Sequence, residues 1–365
     1  MMDDVGNEGF GAVRSIGLIG NLGGDVAVYN GQTLRTRLVR NEIISRLGED
    51  AARTADSSET LGRPLHLLMD LVEVFRGSDV VLIMPGERGL RVLLPLFLLF
   101  RRVWNKPVHY LVVGGWLPRF LSTRPILRKA VARLDGLHVQ SQRMCRELAG
   151  MGLTRVSYLP NFRNFVPSAP TESPQDGPLR LVFLSRVIPE KGVALSAESV
   201  RIINRRAETR RVTLDIWGPL NDSHQDWLEG LLQLAPDAIR YCGTVEPAHV
   251  VSLLAEYDLL LFPTWYSGEG FPGVVVEAYA AGIPVLASRW QDNKEVIEEG
   301  VTGVLVEPHD QAALTTALLH VLEHPSLLTA LKKGASERAE MFHVDNVIPA
   351  LFERLGVSCE RQSAA

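Results

Sequence analysis

The stretch FPTWYSGEGFPGVVVEAYAAG, residues 262–282, opens as the end of an apolar strand and closes as an apolar helix, with a Gly- and Pro-rich turn between them. Two carboxylates stand eight positions apart in it, Glu269 in the turn and Glu277 inside the apolar part. A buried carboxylate without a partner is costly, so Glu277 predicts something polar beside it; an ordinary exposed helix residue is the alternative. A helix starting near Gly273 would offer unpaired N–H groups and the positive end of its dipole to an anion or to sugar oxygens. Eight residues of helix rise about 12 Å, so the two carboxylates can hold opposite ends of an elongated ligand, sugar hydroxyls at one and a ribose diol at the other.

Outward from this stretch, short apolar runs alternate with helical patterns, as in parallel sheets covered by helices. Strands are predicted at SIGLIGN, VVLIM, VHYLVV, GLHVQS and VSYLP in the first half, and at LRLVFLS, VTLDIWG, IRYCGTV, LLLFPT, IPVLAS and GVLVEP in the second. QTLRTRLVRNEIISRL and LPRFLSTRPILRKAVARLD read as helices. RNFVPSAPTESPQDGP, with Pro167, Pro170, Pro174 and Pro178, reads as a linker. The expected division is an N-terminal Rossmann-like domain over 1–165, a linker over 166–178, a second Rossmann-like domain over 179–345, and a final helix over 346–365 that could cross back to the first. Two such halves form a cleft, where ligands bind.

A chain of 365 residues, 46% hydrophobic and 22% charged, has the composition of a two-domain globular protein rather than a disordered one. Cys145, Cys242 and Cys359 are odd in number and far apart, which fits neither a disulfide framework nor a zinc site, and a reducing cytoplasm is expected. The acidic start MMDDVGNEGFGAVRS lacks the features of a signal peptide. LRVLLPLFLLF, residues 90–100, is about half as long as a spanning helix. Residues 1–170 hold 22 Lys and Arg against 15 Asp and Glu, whereas the remainder holds 16 against 27. A basic half beside an acidic half suggests that the first domain faces an anionic partner, ordinary solvated charge being the alternative.

Arg186 stands just past LRLVFLS, and Lys191 in the turn before the next helix. At that edge of an open α/β sheet two cations suit a diphosphate, two plain surface cations being the alternative. Taken in order, SRVIPEKG, GTVEPAHVVSLLAEYDLLLFPT, EGFPGVVVE and NKEVIEEGVTGVLVEP closely resemble the carboxy-terminal domain of family 4 glycosyltransferases, retaining enzymes of the GT-B fold, over roughly residues 179–308. The resemblance implies that Glu269 contacts the donor sugar, that Glu277 binds the nucleotide ribose, and that Arg186 and Lys191 neutralise the departing diphosphate. The backbone of Phe271, Pro272 and Gly273 would cradle sugar and phosphate oxygens. With these cations in place and no Asp-x-Asp signature, neither a metal nor a cofactor beyond the donor is expected.

In the first half, GNLGGDVAVYNGQTLRT looks like the Gly-rich first loop of bacterial polysaccharide glycosyltransferases, with Gly23 and Gly24 letting backbone approach the ligand. Its spacing, GxxGxxG over Gly17, Gly20 and Gly23, is not the dinucleotide fingerprint. Where many relatives carry a histidine, this chain has Gly114, Gly115 and Trp116, while His109 and His138 read as structural. The resemblance thus implies a retaining, metal-independent hexosyltransferase in surface polysaccharide synthesis. It would move sugar from a nucleotide diphosphate to a saccharide or polyprenyl-diphosphate-linked acceptor, in the cytoplasm and with no nucleic acid partner. A GT-B-fold sugar-nucleotide epimerase and an inactive nucleotide-sugar-binding module remain the alternatives. Separately from the resemblance, the apolar run 90–100 followed by Arg101 and Arg102, and LPRFLSTRPILRKAVARLD with Arg119, Arg124, Arg128, Lys129 and Arg133, read as basic amphipathic segments suited to an anionic inner membrane face, packing on the sheet being the alternative.

Overall fold

Strands that read as unbroken apolar runs are the interior strands of two parallel sheets, buried on both faces as such sheets must be. The computed structural model describes residues 13–23, 31–58, 64–167, 177–205 and 211–357. The first domain runs β1 (Ile16–Gly20), α1 (Gly31–Leu47), β2 (Ala52–Asp56), α2 (Pro64–Gly77), β3 (Val80–Met84), α3 (Glu87–Trp104), β4 (Val108–Leu111), α4 (Leu117–Ser122), α5 (Pro125–Val131), β5 (Gly136–Val139), α6 (Gln142–Gly150) and β6 (Val156–Tyr158). The second continues with β7 (Leu179–Leu184), α7 (Val193–Arg205), β8 (Val212–Trp217), α8 (Gln225–Leu232), β9 (Ile239–Gly243), α9 (Val250–Leu254), β10 (Leu259–Phe262), α10 (Gly273–Ala280), β11 (Val285–Ser288), α11 (Asn293–Val296), β12 (Gly303–Val306), α12 (Gln311–Glu323) and α13 (Pro325–Ala339).

The strand orders are β2-β1-β3-β4-β5-β6 and β12-β11-β10-β7-β8-β9. In the second sheet β7 stands between β8 and β10, so the chain winds away in opposite directions on either side of the β7/β10 pair. Such a switch point opens a crevice at the carboxyl ends of the strands. The turn after β7 and the loop after β10 flank it, which is why the two motifs read from sequence meet in space.

LPRFLSTRPILRKAVARLD folds as two helices rather than one. Pro125 has no N–H and disfavours helical backbone in the residue before it, and Arg124 accordingly takes φ −132°, ψ 73°. Past α13, the helix α14 (Val344–Arg354) leaves the second domain. Its Val344, Val347, Ile348, Leu351 and Phe352 are buried with Ile16, Leu18, Val80 and Leu82 of the first sheet. Burying an apolar side chain of this size stabilises by about 1.5–3 kcal/mol, so α14 is a strong strap between the domains. The two crossings lie side by side: Arg163 N donates to Phe342 O (3.0 Å) and Val344 N to Arg163 O (2.9 Å).

Candidate functional site

Between the domains lies a cleft of about 1690 Å³. Single small-ligand pockets hold about 300–1,000 Å³, so this cleft exceeds one such pocket. Its wall brings together Arg186, Lys191, Glu269, Phe271, Pro272, Gly273 and Glu277 from the second domain, with Gly114, Gly115, Gln140, Asn161 and Arg163 opposite.

Lys191 ends a short turn after β7 and is buried, 6% exposed, with Nζ donating to Glu269 Oε2 at 2.6 Å. Thr264 Oγ1 donates to the same oxygen (3.1 Å). Lys191 Nζ lies 5.0 Å from the Tyr266 ring centroid, and the exposed Arg186 guanidinium 4.8 Å from it, so both cations stand within cation–π reach of one aromatic ring. The loop carrying Glu269 is fixed from three sides: Trp265 N donates to Glu190 O (2.8 Å), Trp290 Nε1 to Tyr266 O (2.9 Å), and Ser288 Oγ to Thr264 O. Glu269 thus holds its position before any ligand arrives.

Glu277 lies one turn into α10, where its Oε1 accepts from Arg163 Nε at 2.5 Å. Phe271 is buried, its ring edge-on to Phe342 (5.3 Å), and its carbonyl accepts from Asn161 Nδ2 (3.0 Å). Pro272 has no N–H, so the donors left to this stretch are amides such as those of Gly273 and Val274 in the first turn of α10. Gly23 turns with φ +90° and is buried beside Arg37 and Thr33, off the cleft wall. Gly24 lies outside the described residues.

Gly114 and Gly115 lie where the backbones of the two domains approach closely. A Cβ on Gly115 would fall 2.3 Å from Glu269 O, and one on Gly270 2.6 Å from Gly115 N. A histidine at 115 therefore cannot coexist with this closed arrangement. Gln140 Oε1 accepts from Gly114 N (3.0 Å), while its buried Nε2 has no protein partner. Nearby, Arg143 Nε donates to the fully buried Asp292 (2.6 Å), and Glu295 accepts from the backbone N–H groups of Gln142 (2.6 Å) and Arg143 (2.7 Å). A second-domain carboxylate thereby caps a first-domain helix. His109 and His138 are away from the cleft, inside the first sheet, with Nδ1 of one 3.1 Å from Nε2 of the other. Burial pulls the pKa of both down, that of His138 to about 3 with the His109 charge contributing, so both are neutral at pH 7.

Residues 178–324 match the family described as Glycosyl transferases group 1. The glycogen synthase of Mycobacterium tuberculosis is 30% identical over 237 residues, 62% of this chain and 55% of that protein. The chain thus spans about half the length of this relative. Two solved structures share the fold. The Anabaena protein Alr3699/HepE in complex with UDP superposes with a TM-score of 0.72 at 18% identity, over 93% of this chain and 99% of that one. Sucrose-phosphate synthase from Thermosynechococcus elongatus gives 0.74 at 17%, over 94% and 99%. The architecture is therefore GT-B, two Rossmann-like domains facing one cleft.

Proposed function

We propose that the chain is a metal-independent, retaining glycosyltransferase that moves a sugar from a nucleotide diphosphate to a saccharide or polyprenyl-diphosphate-linked acceptor in surface polysaccharide synthesis. The observation that carries this reading is the convergence of Arg186, Lys191, Glu269 and Glu277 on one cleft beside the start of α10. Negative charge grows on the diphosphate as the glycosidic bond breaks, and fixed cations in a site of low dielectric stabilise that charge most. Glu269, already held by Lys191 and Thr264, would accept from the sugar's hydroxyls; Glu277 would accept from the ribose. Transfer on one face of the sugar, with the leaving phosphate as base, asks the protein chiefly for positioning.

Because HepE was solved with UDP and with UDP-glucose, uridine donors are the first to assay. The test is release of nucleoside diphosphate that depends on an acceptor, resists EDTA, and yields a product whose anomeric configuration by NMR equals that of the donor. Inversion, a need for metal, or interconversion of donors without acceptor refutes the corresponding part.

The acceptor is proposed to lie at an anionic membrane. No helix among the described residues is long and apolar enough to cross one. The outer faces of α2, α3 and α5 instead expose Leu65, Met69, Val92, Leu99, Val103 and Ile126. The exposed cations Arg88, Arg102, Lys129 and Arg133 stand on α3 and around α5. Arg124, in the same sequence segment as Lys129 and Arg133, folds over the Phe120 ring (4.2 Å) and lines the cleft. Apolar anchors with basic neighbours suit the headgroup region, where each cation contributes about 1 kcal/mol. Flotation with anionic liposomes checks this: binding should fall with salt and with Val103→Asp/Ile126→Asp, and equal binding to neutral vesicles refutes it.

A further inference from the structure

Arg163 lies in the segment by which the chain first leaves the first domain, and no motif points to it. Its backbone is already bonded to both sides of residue 343, so the crossing is secured without its side chain. The side chain turns into the cleft instead. Nε takes only Oε1 of Glu277, Nη1 donates to Asn161 Oδ1 and Phe162 O (3.1 Å each), and Nη2 lies so close to Gly273 that a Cβ there would fall 1.7 Å from it. Gly273 is side-chain-free at the one place where the guanidinium covers the first turn of α10.

The charges at this end of the cleft give that placement a purpose. Glu269 and Glu277 offset Arg186 and Lys191, so these four are neutral together, and Arg163 adds one positive charge beside them for a diphosphate that carries two negative ones.

The guanidinium is also aimed by a second, fully buried arginine. Arg35, on α1 and 1% exposed, donates to Asn161 Oδ1 (3.0 Å), Phe162 O (3.2 Å) and Pro160 O (3.1 Å), with its Cζ 3.3 Å from the Phe162 ring centroid. Burial, and then the Arg163 charge, lower its pKa well below the usual arginine value. A buried cation is costly, and what this one holds is the short run 160–162. Asn161 passes the constraint on, accepting from Arg35 and Arg163 through Oδ1 and donating to Phe271 O through Nδ2.

We infer that Arg163 is a third donor-binding cation, presenting its guanidinium to the diphosphate of a nucleotide sugar, and that Arg35 is a positioning residue acting on it through Asn161. This rests on reading the cleft as a nucleotide-sugar site. Planar N–H groups suit phosphate oxygens.

The experiment is calorimetric titration of the full chain with the monophosphates and diphosphates of uridine, guanosine and adenosine. For the base that binds wild type, Arg163→Gln should weaken the diphosphate at least tenfold and the monophosphate less than threefold; Arg163→Lys, which keeps the charge, should recover part of the loss. Arg35→Met should weaken the diphosphate more than the monophosphate while leaving the Arg163 charge in place. Parallel losses for both ligands, or no loss in a folded variant, overturn the inference, because an arginine that only braces Glu277 or the crossing would act on both alike. If no nucleotide binds wild type, the donor-site reading fails first, and that outcome is distinct from a wild-type protein that binds diphosphate while Arg163→Gln binds it equally well.

Discussion

Lys191 offers the sharpest separation of folding from catalysis. Its ammonium is buried against Glu269 at 2.6 Å, and Thr264 Oγ1 also donates to that carboxylate. Lys191→Met keeps much of the side chain's volume but strands a buried charge, which costs about 3 kcal/mol or more. In a domain of this size about 1 kcal/mol moves Tm by about 2–4 °C, so Tm should fall by about 6–12 °C. The same variant should lose about 100-fold in kcat/KM, the usual consequence of removing one group that stabilises transition-state charge. Adding Glu269→Gln removes the stranded charge, and the double variant should melt within a few degrees of wild type. Its kcat/KM should stay at least about 100-fold down, since it lacks both the cation at the diphosphate and the carboxylate at the sugar. Calorimetry and initial rates on the three proteins check both halves. If Lys191→Met alone keeps wild-type kcat/KM at a temperature where it is folded, Lys191 serves the fold alone and the diphosphate assignment is wrong.

The two glutamates should part in kinetics: Glu277→Gln raises donor KM about tenfold with kcat nearly unchanged, and Glu269→Gln lowers kcat about 100-fold at similar KM, whereas the reverse means that the ends of the donor are exchanged. Stability should fall with pH below about 6.5, because burial lowers the pKa of His109 and takes that of His138 to about 3, so the unfolded chain binds more protons throughout that window. The loss is up to about 1.4 kcal/mol per pH unit for His138, read from urea midpoints between pH 7 and 5, and a slope unchanged in His138→Gln refutes it. Arg143→Ala leaves Asp292 buried without its cation unless the domains part to hydrate it, so the radius of gyration from small-angle scattering should rise; an unchanged radius with a large drop in Tm means that the contact cannot open.

Runs such as IGLIG and VVLIM were legible because a strand buried on both faces must be apolar throughout. ARTAD was not. As β2 it lies at the edge of the sheet, paired on one side to β1 and largely half-buried, so its composition carries no such constraint. The motif residues of the second domain were legible for a related reason: each follows a recognisable strand, and the topology brings strand ends together. Arg163 stayed hidden because RNFV reads as the start of a proline-rich linker, and only the fold shows residue 163 paired with 343 and its side chain returned to Gly273. Arg35 sits in a helix pattern where arginine looks like solvated surface, and its partners at 160–162 are more than 120 residues away.

The two carboxylates that opened the sequence reading turn out to have partners of different kinds. Glu269 is paired within the second domain, on a loop fixed by that domain's own residues, so its geometry survives any separation of the domains. Glu277 is paired with an arginine of the crossing segment, whose aim depends on α1 of the first domain through Arg35 and Asn161. On the proposed reading the reacting end of the donor is preorganised by the second domain alone, while the nucleotide end senses where the first domain stands. Contact of Gly115 with Gly270 then sets how far closure can go, since neither position has room for a side chain. Glycine at 115 follows from that contact, since the backbone approach that brings the first domain against the Glu269 loop leaves no space for an imidazole there, whereas glycine at 114 follows from its φ of +85°, with Gln140 accepting from its N–H. On the proposed reading the cations at the diphosphate are Lys191, Arg186 and Arg163, while the two neutral histidines of the first sheet bond to each other instead of facing the cleft.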